Sequence, residues 1–488
     1  MSTLKSFFKD SIIYGVAAVL PRVINFLLVK VHTDALQAES YAENTDFYVW
    51  AALVSIVLTL GFETTFFRYF KDKQHAENLV ATSFISVAIW VGIFILLFAL
   101  FFNPIEAFFN FQGHDFRLKT FIIIMALDTL AMIPFAYLRA LNRPIRFTVI
   151  KLINVGIIVI LQLITLRWIP NWQQNGQHLP DWMVDLYQKL PIVDYIFLTN
   201  LVGSLISLLL VLPYLKKVKW HFDKVLFKKM LKYSYPIIIA GLAYAINENL
   251  DKWLIGEFLD KKTEGLYAAI YKLAIFMNLY IMAFRLGAEP FFFKIAHEEN
   301  SKETYASIMK YFVIIGSIAL VGIILFIDII KHFVNPSYWM ALDIVPIVLL
   351  ANLFLGIYHN LSIWYKLIDK TRYGMWFSIV GAIITILLNV LLLKTYGYMI
   401  AAWAHMAAYG VMVLLSYFMG ARRFPVPYQT GKILLHLGLA VGISFTSFYW
   451  LKPNLWIATG IMVLYLTVLT FWEFKPLLVQ LKKYIGKS

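Results

Sequence analysis

The residues able to do chemistry in this sequence are charges set inside apolar runs. From Asp10 to Val31 the chain reads DSIIYGVAAVLPRVINFLLVKV, long enough to cross a bilayer, with Arg22 at its middle. At about 1.5 Å per residue Arg22 lies roughly 18 Å beyond Asp10, near the centre of a hydrocarbon layer about 30 Å thick. A guanidinium there costs on the order of 2.5–3.5 kcal/mol, so it must face a water-filled cavity or a partner, which points to an anionic ligand. Lys272 and Arg285 are further cations within one apolar run and join Arg22 as candidate substrate-binding residues. Asp128, in the middle of IIIMALDTLAM, has no local partner, and NENLDK carries Glu248, Asp251 and Lys252. Glu248 and Lys252 are four apart and can neutralise each other on one helical face. The other reading is a cavity wall where Asp128, Glu248 or Asp251 binds a proton or sodium as coupling ion. Glu63 and Glu289 recur in a Gly-x-Glu-x-x-Phe-Phe-Arg/Lys frame; pairing with Arg139 or Lys366 would make each a gate element or a structural helix-end pair. Cysteine is absent, and neither a nucleotide-binding loop nor an HExxH pattern occurs, so no metal, no other cofactor and no enzymatic activity is expected.

The elements that must position these residues follow from composition. A chain of 488 residues that is 61% hydrophobic and only 15% charged is a polytopic membrane protein. Windows of roughly 19 residues give fourteen spans, near 11–31, 46–67, 79–102, 116–138, 148–169, 194–214, 233–256, 265–290, 306–328, 341–361, 373–393, 397–418, 432–450 and 454–472. The N-terminal run is too long for a signal-peptide core and is read as a retained first span. Twenty-nine of the 43 Lys and Arg fall in or beside one alternate set of loops, which places both termini in the cytoplasm. That distribution also explains the net charge of +15 without nucleic acid. Leu215 to Leu231 alternates cations with apolar residues and is expected to lie as an amphipathic helix on the inner leaflet, in contact with anionic membrane lipids. The longest outside loop, Pro170 to Leu190, is expected to rest at the interface rather than fold as a domain.

The chain repeats itself. A gapless shift of 226 residues puts Gly15 on Gly241, Arg22 on Glu248, Asp34 on Asp260, Tyr41-Ala42 on Tyr267-Ala268 and GFETTFFR on GAEPFFFK. At 227, Arg139, Asn142 and Arg143 fall on Lys366, Asp369 and Lys370. Six spans per repeat keep both halves in one orientation, related by a pseudo-twofold axis along the membrane normal. The expected organisation is therefore all-α: a six-helix bundle over 1–215, a basic linker over 216–231, a second six-helix bundle over 232–420, and two additional helices with a cytoplasmic tail over 421–488. Arg22 and Glu248 would face each other across the axis.

The passage Lys366 to Gly420 adds a basic entry at Lys370 and Arg372, Asn389 ahead of an apolar triplet, and Lys394-Thr-Tyr-Gly397-Tyr-Met-Ile-Ala401-Ala402 opening the twelfth span. With six plus six plus two spans and the first-span arginine, the chain resembles the polysaccharide-transporter family, Wzx-type flippases, of the multidrug/oligosaccharidyl-lipid/polysaccharide exporter superfamily. The resemblance implies a flippase moving isoprenoid-diphosphate-linked oligosaccharide from the inner to the outer leaflet of a bacterial inner membrane for cell-surface polysaccharide or lipopolysaccharide O-antigen. It implies a polymerase and a chain-length regulator as partners, and Arg22 as the residue that holds the diphosphate. Lipid II flippases of the superfamily carry a serine-arginine pair there; Pro21-Arg22 keeps the arginine alone.

The alternatives are a cation-coupled exporter of amphipathic drugs from the same superfamily and a membrane O-antigen polymerase or ligase, which would need a larger external loop. If Arg22 holds a diphosphate, Arg22→Ala abolishes glycan export at normal membrane levels. Arg22→Lys keeps part of it, because the charge survives and the bidentate fork does not. Full export by Arg22→Ala would exclude the role.

Overall fold

A computed structural model describes residues 20–21, 23–70, 76–109, 115–141, 143–176, 180–216, 218–368 and 370–474. All regular structure among them is helical, and twelve helices are long and apolar enough to cross a membrane. Backbone groups in hydrocarbon must be satisfied internally, which is why apolar runs of this length fold as helices. Two expected spans are not among the twelve. The first is described as helix over 23–35, most of its first half lying outside the described residues. The seventh is present as Lys224–Ala245 continuing through a wide turn, Ile246–Leu250, into Asp251–Phe258, but Glu248, Asp251 and Lys252 interrupt its apolar run.

The basic linker departs from expectation. Asp223 caps the helix that begins at Lys224, its Oδ1 accepting from the amides of Val225 and Leu226, both at 2.9 Å. The second half of the expected interfacial helix is therefore the first turns of span seven, with Leu226 and Met230 buried among Phe62, Phe66, Leu79 and Val80. An aspartate accepting two orphan amides decides where a helix starts more sharply than alternation of cations does. Gly397 ends span eleven, Arg372–Tyr396, at φ 71°, with its amide donating to the Leu393 carbonyl at 2.8 Å. That positive φ, which a Cβ disfavours, is the physical content of the glycine in Lys394-Thr-Tyr-Gly397. The loop expected on the outside folds as two short helices, Ile169–Gln174 and Asp181–Gln188. The Tyr187 hydroxyl donates to the Thr165 carbonyl at 2.7 Å, and burial raises its pKa to about 12.

Compactness groups the helices into two units. One comprises Met1–Lys272 with Lys370–Ala408. Within it, span two, Ala38–Phe70, packs along span seven, where Gly61 at φ 60° leaves a position whose Cβ would lie 3.3 Å from Ser234 Cβ. Arg117, only 2% exposed, ties three helix ends together: Nε donates to Asp194 Oδ1 at 2.6 Å and Nη2 lies 2.9 Å from Glu43 Oε2.

The other unit comprises Leu273–Asp369 with Tyr409–Ser488. Span nine, Ser301–Leu325, packs on span ten through glycine: a Cβ on Gly356 would come 2.5 Å from Phe312 Cζ. The last two spans, outside the repeat, are fastened by charge. Lys310 Nζ of span nine donates to Glu473 Oε2 at 2.7 Å, and Glu473 Oε1 lies 3.4 Å from His436 Nε2 of span thirteen. Both charged partners are nearly buried, so Glu473→Gln should lower stability by roughly 3–5 kcal/mol through the ammonium left behind. Lys310→Met with Glu473→Leu should return most of it. Thermal unfolding in detergent, followed by tryptophan fluorescence, checks both, and an unchanged midpoint in Glu473→Gln would show that the pair is not what fastens these spans.

Candidate functional site

The polar residues of span seven are positioned by its wide turn. Over Ile246–Leu250 the helix adds a residue to the turn, a distortion frequent at functional sites and present also at Ile164–Trp168, Thr446–Leu451 and Thr470–Phe474. Its sequence favours this: the Asn249 amide donates back to the Ala245 carbonyl at 3.2 Å, competing with the ordinary ladder. Asn247 is pinned to span eleven, donating to the Ser378 carbonyl at 3.2 Å and accepting from the Thr385 hydroxyl at 3.0 Å.

Beyond this turn lies a buried ion pair. Lys252 Nζ donates to Asp251 Oδ1 at 3.0 Å and to the Glu248 carbonyl oxygen at 2.7 Å, and it stands 3.8 Å from the centre of the Tyr271 ring. Asp251 Oδ2 accepts from the Tyr267 hydroxyl at 2.9 Å. Tyr271 in turn shares a hydrogen bond with His405 Nε2 at 2.9 Å, and that nitrogen is 4.0 Å from Glu248 Oε1. The helical expectation that Lys252 neutralises the Glu248 side chain is thus corrected. The ammonium takes the carbonyl of Glu248 and the carboxylate of the adjacent Asp251, because its long stem folds back along the helix. Two tyrosines and a histidine from other spans complete the cluster, and sequence spacing gave no sign of them.

Asp128 was expected to lack a partner from its own stretch. It finds two in space: the Ser204 hydroxyl bonds to it and Lys151 lies within electrostatic reach. It is nonetheless exposed, as are Lys272 and Arg285. Exposed charge deep in a membrane span faces water or a cavity rather than lipid. Lys272 stands within electrostatic reach of Lys252 and of His32, whose Nε2 is 2.9 Å from Gln162 Oε1. Arg285 belongs to the second unit, where its Nη1 is 3.4 Å from His359 Nε2. With Glu289, Ser362 and Lys366 it lines a cleft of about 10 Å³, room for about one water and not for a sugar diphosphate.

The recurring glutamates do pair as the repeat implies. Arg139 Nη1 donates to Glu63 Oε1 at 2.5 Å, and Lys366 Nζ donates to Glu289 Oε1. Each pair joins spans two and four, or eight and ten, of a single repeat. Arg22 lies outside the described residues, and with it the expected Arg22–Glu248 contact.

Besides Arg117 with Asp194 and Glu43, and Lys310 with Glu473, a third ionic group was not anticipated from the sequence. Lys261 Nζ, at the start of Lys261–Lys294, donates to Asp46 Oδ2 at 2.5 Å and to Glu264 Oε2 at 2.9 Å. Beside it, a Cβ on Gly265 would come 1.8 Å from the Ala38 carbonyl oxygen, so only glycine permits this approach of the eighth span to the second. In the second unit, Leu434, Gly438, Gly442, Ser447 and Ile461 border an apolar groove of about 650 Å³ between spans thirteen and fourteen.

The family model of polysaccharide biosynthesis proteins matches residues 7–295. None of the curated proteins compared with the sequence matches it. Among solved structures, the lipid II flippase MurJ in an inward closed conformation shares 16% identity at a TM-score of 0.72, covering 96% of this chain and 100% of that one. An inward-facing multidrug resistance MATE family transporter of the MOP superfamily shares 12% at 0.64, over 83% and 98% of the two chains. An outward-facing one shares 13% at 0.61, over 86% and 95%. The fold is theirs, across both facings.

The Asp46–Lys261–Glu264 group holds two buried carboxylates on one ammonium. Lys261→Met should therefore cost roughly 3 kcal/mol of unfolding free energy, the range for an uncompensated buried charge. Adding Glu264→Gln should recover part of the loss. Denaturation in detergent measures both, and no loss in Lys261→Met would show that the carboxylates do not depend on it.

Proposed function

Since the chain belongs to the polysaccharide biosynthesis protein family, we propose that it flips an isoprenoid-diphosphate-linked oligosaccharide from the inner to the outer leaflet of the bacterial inner membrane. The product serves cell-surface polysaccharide or lipopolysaccharide assembly, and both termini lie in the cytoplasm. The observation that carries the reading is Lys272, a cation exposed although it sits roughly 16 Å along an apolar span from Lys261. Such a charge has a use where an anionic head must cross hydrocarbon. Arg22 supplies the second cation for the diphosphate. The lipid tail stays in hydrocarbon.

Alternating access needs contacts that break. Lys261 with Asp46 and Glu264 closes the outer end of spans two and eight, and the Glu63–Arg139 and Glu289–Lys366 pairs brace the cytoplasmic ends of their repeats. Asp128, exposed and flanked by Ser204 and Lys151, is the carboxylate best placed to exchange a coupling proton or sodium. A ligand shifts the equilibrium only through a difference in its contacts between the two facings, and we assign those contacts to Lys272 and Asp128.

In proteoliposomes carrying a lipid-diphosphate glycan, Lys272→Ala should slow flipping at least tenfold and Lys272→Arg much less, while Asp128→Asn should remove the dependence on an ion gradient. Wild-type rates in Lys272→Ala would exclude the diphosphate role, and an unchanged gradient response in Asp128→Asn would exclude that carboxylate.

A further inference from the structure

The Lys252 ammonium has the surroundings of a bound monovalent cation. It touches a carboxylate oxygen of Asp251, the backbone carbonyl of Glu248 and the face of Tyr271, at 3.0, 2.7 and 3.8 Å. Carboxylate and carbonyl oxygens are what hard cations select, and an aromatic face adds electrostatic attraction for a desolvated one. The Lys252 side chain is 8% exposed and that of Asp251 not at all. The remaining Asp251 oxygen is taken by the Tyr267 hydroxyl. A second cation cannot reach this carboxylate without displacing the first.

We infer that Lys252 is the resident cation of a site that would otherwise bind sodium, so that span seven carries no exchangeable metal ion and its charge balance is built into the chain. Asp251 and Lys252, both buried, balance each other, with the partly buried Glu248 and the exposed Lys272 within electrostatic reach of the pair. Removing the ammonium leaves an excess carboxylate with a carbonyl beside it, which a small monovalent cation restores to balance. The inference concerns the coupling side of the transport reading. It is tested by ion binding alone, so it stands or falls independently of what the protein flips.

The test uses the purified full-length protein in detergent, with 22Na+ binding measured by scintillation proximity and thermal unfolding in NaCl against choline chloride. All measurements are made in an Asp128→Asn background, which removes the proposed coupling carboxylate; there the protein that keeps Lys252 should show no saturable binding and no sodium-specific shift. Lys252→Ala should acquire both, and Lys252→Ala with Asp251→Asn should lose both. Lys252→Gln, which keeps a donor for the Glu248 carbonyl, serves as a second variant and should behave as Lys252→Ala does. Saturable sodium binding by the protein that keeps Lys252, if Asp251→Asn abolishes it, would overturn the inference. So would a folded Lys252→Ala or Lys252→Gln that binds no sodium. The measurement on the protein that keeps Lys252 decides even where a variant does not fold.

Discussion

The constraint on which this structure depends is the cost of a charge in a low-dielectric interior. An unpaired buried ion is several kcal/mol unfavourable, so each buried charge has had to find a partner, and the partners are mostly on other helices. Arg117 with Asp194 and Glu43, Lys261 with Asp46 and Glu264, and Lys310 with Glu473 each bind helices far apart in sequence. Lipid supplies no hydrophobic drive for helix association, because the tails are as apolar as leucine. Polar ties and close glycine contacts therefore specify which spans meet.

Against that background a few charges stay exposed, and the proposed function rests on them. Lys272 and Asp128 lie deep within their spans yet remain accessible. Asp251 and Lys252 are their opposite, saturated by each other and by two tyrosines. The same chain thus holds accessible charges apart from charges that tie its helices, and accessibility distinguishes them where residue type does not.

The repeat shows the same division. Glu63 with Arg139 and Glu289 with Lys366 keep their partners in both halves. Elsewhere equivalent positions have diverged in sign: Asp46 falls on Lys272 at the 226-residue shift, as Arg22 falls on Glu248. One member of the first pair is held by Lys261 and the other is exposed. Divergence of this kind turns two copies of one plan into two halves with different chemistry.

Apolar run length is a local property, and it was enough to make the chain a polytopic helical membrane protein, while the 226-residue self-match gave the repeat. Glu63 and Glu289 were legible because each frame recurs, and a recurring acid near a recurring base in the same kind of loop implies the same pair. Lys261 and Asp46, 215 residues apart, and Lys310 and Glu473, 163 apart, were not, since no local pattern joins two spans. The start of span seven was misplaced because cationic alternation outweighed a single capping aspartate. Within NENLDK the four-residue rule named Glu248 as the partner of Lys252. That rule counts neighbours along one helix face, whereas the neighbourhood of Lys252 is fixed by Tyr267, Tyr271 and His405, residues that only the packing of other spans brings to it.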